Sequence, residues 1–244
     1  MRVTRVHVDA ALSAGATVAL PDTAATHLVR VLRLQSGDAC TLFNGDGNDY
    51  DARISSVGKR SVDATVFGAR AVENESPLRI TLVQGIARGE KMDWILQKAT
   101  ELGIHGIIPV GSERSEVKLD AERAGKRLAH WRNVVVSACE QCGRARVPEV
   151  AAAQSLQASL TYLPTVPRFL LDPEATQLIA DIPQPLVSGC VLAVGPEGGW
   201  SPRDRELLHQ AGFSGLRLGP RILRTETAGI AAVAALQSHF GDLG

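Results

Sequence analysis

The chain has 244 residues, 45% hydrophobic, 21% charged and only 4% aromatic, and 26 Lys+Arg balance 26 Asp+Glu for a formal net charge of +0. This composition excludes a disordered or collagen-like chain and a globally basic nucleic-acid binder, and it suits one large or two modest domains. A local basic face survives the count, because Arg30, Arg33, Arg88, Arg144, Arg146, Arg221 and Arg224 sit near turns and a planar guanidinium suits phosphate.

The first third reads as β. Short β-prone runs at Val3–Val8, Thr17–Leu20, Ala39–Phe43, Tyr50–Val57 and Ser61–Ala69 are separated by turn signals such as Gly37-Asp38 and Asn44-Gly45-Asp46-Gly47-Asn48. One helix is expected at Asp22–Arg33, where Ala25, Leu28, Val29 and Leu32 share a face. Several short strands and one helix in this space suggest a small barrel over residues 1–72. Glu73-Asn74-Glu75-Ser76-Pro77 is polar, ends in proline and reads as a linker.

From residue 77 the pattern alternates strand and helix to the end of the chain. Strands are expected at Leu78–Ile86, Ile104–Val110, Phe169–Leu171, Val191–Val194 and Leu216–Leu218, and helices at Lys91–Leu102 and Asp120–Ala138. Ser201-Pro202-Arg203-Asp204 is a helix start with a serine cap, a first-turn proline and an acid three residues on, and a last helix spans Thr225–Phe240. Such alternation predicts an α/β domain around a largely parallel sheet. No apolar run approaches the roughly 20 residues of a membrane helix, and Met1–Val6 has no apolar core behind its charges, so a cytoplasmic protein is expected.

In open α/β sheets, ligands sit beyond the carboxyl ends of strands. Three such ends stand out: Leu170-Leu171-Asp172-Pro173, Val194-Gly195-Pro196-Glu197-Gly198-Gly199-Trp200, and Leu218-Gly219-Pro220-Arg221-Ile222-Leu223-Arg224 running into Thr225-Glu226-Thr227-Ala228. Their glycines let backbone turn tightly or approach a ligand, so the loops can hold a nucleoside through N–H and C=O groups; ordinary strand-to-helix turns are the plainer alternative. The phosphate-cradling GxxxxGK[ST] loop, the GxGxxG fingerprint, HExxH and GxSxG are all absent from the sequence. Cys139-Glu140-Gln141-Cys142 has no second ligand pair and lies in a helical pattern, so it reads as coincidence; no metal is expected, and Cys40 and Cys190 read as reduced thiols. His27, His105 and His130 read as packing or capping residues.

Gly195-Pro196-Glu197-Gly198-Gly199, followed by Leu218-Gly219 and Ile222-Leu223-Arg224-Thr225-Glu226-Thr227-Ala228, resembles the C-terminal signature of the small-subunit ribosomal RNA uridine N3-methyltransferases, a family of the SPOUT class. His27 with Val31-Leu32-Arg33, Gln97-Lys98-Ala99-Thr100-Glu101-Leu102-Gly103, Ser112-Glu113-Arg114-Ser115, and Glu140-Gln141 with Arg144 and Pro148 extend the likeness over nearly the whole chain. Cys142 departs from it, standing where the family's motif often has serine. The resemblance implies a PUA-like RNA-binding barrel, a C-terminal domain (77–244) with a deep trefoil knot, a homodimer, and S-adenosylmethionine bound against the three loops. It also implies a substrate, uridine 1498 of 16S rRNA in the small ribosomal subunit.

On that reading the cofactor contacts are Leu170, Leu171, Val194, Gly195, Pro196, Glu197, Gly198, Gly199, Leu218, Gly219, Ile222, Leu223, Arg224, Thr227 and Ala228. Arg224 and Glu226 are the catalytic candidates: Arg224 to stabilise charge developing on a uracil oxygen, Glu226 as a nearby carboxylate. Each acid has a plain alternative, since Glu226 sits in a helix first turn and Glu197 can simply hold its loop. Arg30, Arg33, Arg88, Lys91, Arg114, Arg144 and Arg146 are the RNA-contact candidates. Two other functions stay open at this point: a non-enzymatic RNA-binding or ribosome-assembly protein, and a knotted methyltransferase acting on a ribose 2′-hydroxyl or on tRNA.

Overall fold

The computed structural model describes residues 3–26, 28, 29, 33–58, 61–116, 121–183, 185, 186 and 188–244. His27, Arg30, Val31, Leu32 and Asp120, singled out above, lie outside them. The chain divides into two compact units, Met1–Glu75 with Cys139–Val147, and Ser76–Ala138 with Pro148–Gly244.

The first unit is a five-stranded sheet of β1 (Arg5–His7), β2 (Thr17–Ala19), β3 (Ala39–Phe43), β4 (Asn48–Val57) and β5 (Val62–Ala71), in the order β1-β3-β4-β5-β2. The β1–β3 pair is parallel and the others antiparallel. Helix α1 covers Asp22–Thr26 of the expected Asp22–Arg33. Strand period two decides which side is core: Tyr50, Ala52 and Ile54 of β4 are buried among Val6, Leu42, Ala64 and Val66, while Asp51 and Arg53 face away.

Residues Cys139–Val147 count with this unit, a return that a single break near residues 73–77 does not anticipate. Arg5 anchors it by donating to the Cys139 and Arg144 carbonyls at 2.7 and 3.2 Å and to Asp49 at 2.6 Å, its guanidinium lying 4.6 Å from the Phe43 ring centre. The His7 N–H donates to the Glu140 carboxylate at 3.0 Å. Arg144 is buried and donates to both carboxylate oxygens of Glu75, at 3.0 and 2.5 Å. Buried charges persist when so paired and otherwise cost several kcal/mol.

The second unit is a parallel sheet in the order β12-β10-β11-β6-β7-β8, with β9 also on β7. Its strands are β6 (Ile80–Gly85), β7 (Gly106–Gly111), β8 (Glu149–Val150), β9 (Gln154–Ser155), β10 (Arg168–Leu171), β11 (Cys190–Val194) and β12 (Phe213–Leu216). All of β11, Cys190-Val191-Leu192-Ala193-Val194, is buried, the near-continuous apolar run of a strand covered on both faces. The helices are α2 (Glu90–Glu101), α3 (Ala121–Cys142, which counts with this unit as far as Ala138), α4 (Leu156–Ser159), α5 (Pro202–Gln210) and α6 (Thr225–Phe240). Ser201 caps α5 by accepting from the Asp204 N–H at 3.0 Å, while the Asp204 carboxylate accepts from the Ser201 N–H at 3.1 Å.

The last strand differs from the expectation at Leu216–Leu218. β12 pairs with β10 from Phe213↔Arg168 to Leu216↔Leu171, which places Arg217 and Leu218 in the loop beyond it. Among the described residues, no helix is long and apolar enough to cross a membrane.

Candidate active site

β10, β11 and β12 end side by side, and their carboxyl-end loops meet the start of α6 around a cavity of about 480 Å³. Of the expected cofactor contacts, Leu171, Val194, Gly195, Pro196, Glu197, Gly198, Gly199, Leu218, Gly219, Ile222, Leu223, Arg224 and Ala228 line it. Two do not. Leu170 is fully buried in the core with Val191, Ala193 and Phe213, because alternate residues of β10 face opposite ways and the lining falls to Leu171. Thr227 is exposed on α6, outside the lining.

Backbone geometry explains the glycines. Gly199 closes a turn by donating to the Pro196 carbonyl at 2.8 Å and has φ +66°, while Gly219 has φ +65°, both in the left-handed region that side chains resist. Nothing lies within 4 Å of where a Cβ would stand at either residue. Gly85, which sequence reasoning missed, serves a different need: a Cβ there would come within 2.5 Å of Pro196, so the end of β6 and the Gly195–Pro196 turn approach as only glycine allows.

A buried polar chain sets the height of this turn. Thr225, the first residue of α6, donates its hydroxyl to the Gly195 carbonyl at 2.5 Å and accepts from Gln84 Nε2 at 3.0 Å; Gln84 is fully buried and also donates to the Gly85 carbonyl at 2.9 Å. Neither Gln84 nor Thr225 carried a local signal of this role, since a lone glutamine in a strand and a threonine at a helix start are ordinary.

Three carboxylates line the cavity, and two are already engaged. Asp172 accepts from Arg205 and from the Glu174 N–H, and it adjoins the site from the end of β10. Glu197 accepts from the Arg88 N–H and from Lys91 Nζ, both at 3.1 Å. Burial by itself raises the Glu197 pKa, but these hydrogen bonds, its own N–H and the Lys91 charge outweigh it and hold the carboxyl below its ordinary value. Glu226, in the first turn of α6, keeps one buried oxygen with no hydrogen-bond partner among the described residues. The buried Trp200 Nε1 and Arg217 Nε, on cavity-lining residues, are likewise without partners.

The arginine and lysine candidates separate by environment. Arg224 is exposed at the start of α6, and Arg114, also exposed, donates to the Gly198 carbonyl at 3.2 Å across the second loop. Lys91 and Arg114 thus line the cavity itself. Arg88 is exposed and paired with Glu116, while Arg33 and Arg146 are exposed on the first unit. Arg144 is corrected from an RNA contact to a structural residue, because its guanidinium is buried and bidentate on Glu75. Burial pushes the Cys40 thiol up to about 11 and those of Cys139 and Cys190 up to about 12, away from the thiolate form a reactive cysteine needs. Among the described residues, no group of three or more His, Cys, Asp or Glu side chains gathers as if for a metal.

Comparison with known proteins decides the family. The RNA methyltransferase domain family matches residues 74–237, and the RNA methyltransferase PUA domain family matches residues 20–67. Ribosomal RNA small subunit methyltransferase E of Buchnera aphidicola subsp. Schizaphis graminum is 34% identical, covering 99% of this chain and 98% of its own length. The chain belongs to the ribosomal RNA small subunit methyltransferase E family. The family member of Bacillus subtilis is 33% identical over 86% of this chain and 85% of its own. A solved member from Neisseria gonorrhoeae, bound to S-adenosyl methionine, is 42% identical with a TM-score of 0.91 and full coverage of both chains. A Legionella pneumophila protein solved with the bound cofactor SAM is 38% identical with a TM-score of 0.94, again over the whole of both chains. Family membership makes the chain a methyltransferase of mixed α/β architecture.

Proposed function

We propose that this protein transfers a methyl group from S-adenosylmethionine to ring nitrogen 3 of uridine 1498 in 16S rRNA of the small ribosomal subunit. The observation that carries the reading is the cavity at the ends of β10, β11 and β12, walled by the turns of the family's signature. Its size lies within the roughly 300–1,000 Å³ of small-molecule sites. The residues fit the cofactor. The Trp200 and Arg217 donors and the Glu226 acceptor, without partners among the described residues, suit a ligand that offers both oxygen acceptors and N–H groups, and open space at Gly199 and Gly219 lets main chain approach it.

When bound, S-adenosylmethionine supplies a methyl group on a positively charged sulfur. The chain's own part is to hold the uracil nitrogen in line, exclude water and take up the proton that nitrogen carries at neutral pH. Asp172 and Glu197 are each held by cations, so Glu226 is the carboxylate left to accept that proton. Arg224, exposed beside it, stabilises negative charge on a uracil oxygen as the proton leaves. Arg30, Arg33, Arg88, Lys91, Arg114 and Arg146 are the proposed RNA contacts.

The knotted SPOUT topology, the homodimer and a cytoplasmic role in ribosome biogenesis belong to the same proposal. Support for dimerisation comes from α6, where Ala228–Leu236 is uninterrupted by a polar side chain, and from Ile222, an apolar residue 85% exposed on the third loop. A helix apolar all round is normally buried, and Ile230, Ala231, Ala234 and Ala235 are only half-buried in one chain.

The test uses small subunits from a strain lacking the gene, incubated with the protein and methyl-labelled S-adenosylmethionine and then digested to nucleosides. Label in 3-methyluridine is expected. Label in a 2′-O-methyl nucleoside, or only after tRNA is added, supports another knotted methyltransferase, and no label with intact RNA binding supports a non-enzymatic binder.

A further inference from the structure

In the first unit, β4 and β5 pair with a shift in register: Asp51 faces Gly68 and Ala52 faces Val66, so Phe67 has no partner across the ladder. β5 alternates the buried Val62, Ala64 and Val66 with outward neighbours, so Phe67 takes the outward position at this bulge, unpaired across the ladder and 59% exposed. An aromatic ring held at a bulge and left in solvent forgoes burial that most phenylalanines obtain.

The ring borders an open recess of about 800 Å³ on the outer face of the sheet, with Thr41, Asp51, Arg53 and Arg70. The charges there are not balanced. Asp49 is neutralised between Arg5 at 2.6 Å and Arg70 at 2.8 Å, and Asp51 lies 3.9 Å from Arg70. Arg5, Arg53 and Arg70 against Asp49 and Asp51 leave the recess one charge positive. Arg53 is exposed and donates to the Gly37 carbonyl at 3.0 Å through one of its guanidinium nitrogens. A flat apolar ring beside exposed guanidinium and carboxylate groups offers a face for stacking, with donors and an acceptor at the edge; an apolar protein surface would leave those charges buried and unpaired.

We infer that Phe67 is a stacking platform for one unpaired nucleobase of a single-stranded RNA segment, with Arg53 meeting the base edge or the adjoining phosphate. This rests on the RNA-substrate reading above and adds to it a base-specific contact in the first unit. Single-stranded segments suit such a site because their bases have free faces, whereas a duplex keeps them stacked.

The test is fluorescence anisotropy of the full-length protein with a short labelled single-stranded RNA oligonucleotide and with the same oligonucleotide made abasic. Replacing a stacking aromatic costs about 5- to 150-fold in affinity. Phe67→Ala is expected to weaken binding by about tenfold, Phe67→Trp to restore it, and Arg53→Gln to weaken it by a smaller factor. On the abasic strand Phe67→Ala and the parent are expected to bind alike. A parent that binds RNA while Phe67→Ala binds equally well overturns the platform and leaves the substrate reading standing. A parent that does not bind the oligonucleotide overturns the platform, and label transfer to small subunits then decides the substrate reading by itself. If Phe67→Ala instead shifts the sedimentation coefficient, the face is a contact between copies and the inference fails. Thermal midpoints of the variants at the parent's value exclude a folding defect.

Discussion

Thr225→Val isolates the buried hydroxyl that ties the second loop to α6. Valine keeps the shape of threonine and deletes the atom that donates to the Gly195 carbonyl at 2.5 Å and accepts from Gln84 at 3.0 Å. Each bond is worth about 0.5–1.5 kcal/mol net, and a buried group left unpaired costs about 1–3 kcal/mol. Gln84 Nε2 retains the Gly85 carbonyl and Gly195 is only half-buried, so the expected loss is about 2–3 kcal/mol, toward the low end of that sum. Urea denaturation reads it as a lower midpoint at unchanged slope. Calorimetry with S-adenosylmethionine reads the second effect, a dissociation constant raised by about tenfold as the Gly195–Pro196 turn loosens, which corresponds to about 1.4 kcal/mol. Thr225→Ser restores both to near the parent. A valine variant within about 0.5 kcal/mol of the parent, the spread of neutral surface changes, refutes the claim that this hydroxyl holds the turn.

Gly85→Ala places a methyl 2.5 Å from Pro196 and is expected to cost about 1–3 kcal/mol and to abolish detectable cofactor binding, read by denaturation and calorimetry. Glu226→Gln should lower kcat by about 10²–10⁴ at saturating cofactor, while equal turnover by the variant removes Glu226 as proton acceptor. Glu197 has a folded pKa below its ordinary 4.5, so its contribution is fully present above that pH and is lost as pH falls through the lowered value. The stability gap between parent and Glu197→Gln is therefore expected to be constant at neutral pH and to close in acid. Glu75→Gln removes the carboxylate charge that the buried Arg144 grips and should destabilise the first unit by about 1.5–3 kcal/mol, against which a neutral outcome counts directly.

Local grammar made the ends of the main elements readable. Ser201 and Asp204 announce α5 by their capping pattern, and Thr225–Phe240 is bounded by a loop of glycine and proline before an alanine-rich apolar run and by Gly241 after it. The cavity was readable for the same reason, since its walls are three short contiguous loops. What stayed hidden depends on partners far along the chain. Arg5 and Cys139 are 134 positions apart, and nothing near either announces that Cys139–Val147 is held by Arg5 and His7 of β1. Arg144 read as a surface cation because its partner, Glu75, is 69 residues away. The alternation Leu216-Arg217-Leu218 imitates a strand, but pairing with β10 ends at Leu216. Arg205 and Arg217 entered the lining unannounced, because which side of a loop a side chain takes is set by packing rather than by sequence.

Primer extension across 16S rRNA tests the assigned chemistry most directly. Methylation at N3 removes the uracil's Watson–Crick donor and stops reverse transcriptase, so small subunits from a strain lacking the gene should be read through at uridine 1498 and acquire a stop there after incubation with this protein and S-adenosylmethionine. Read-through that persists after incubation with active, cofactor-binding protein contradicts the assignment.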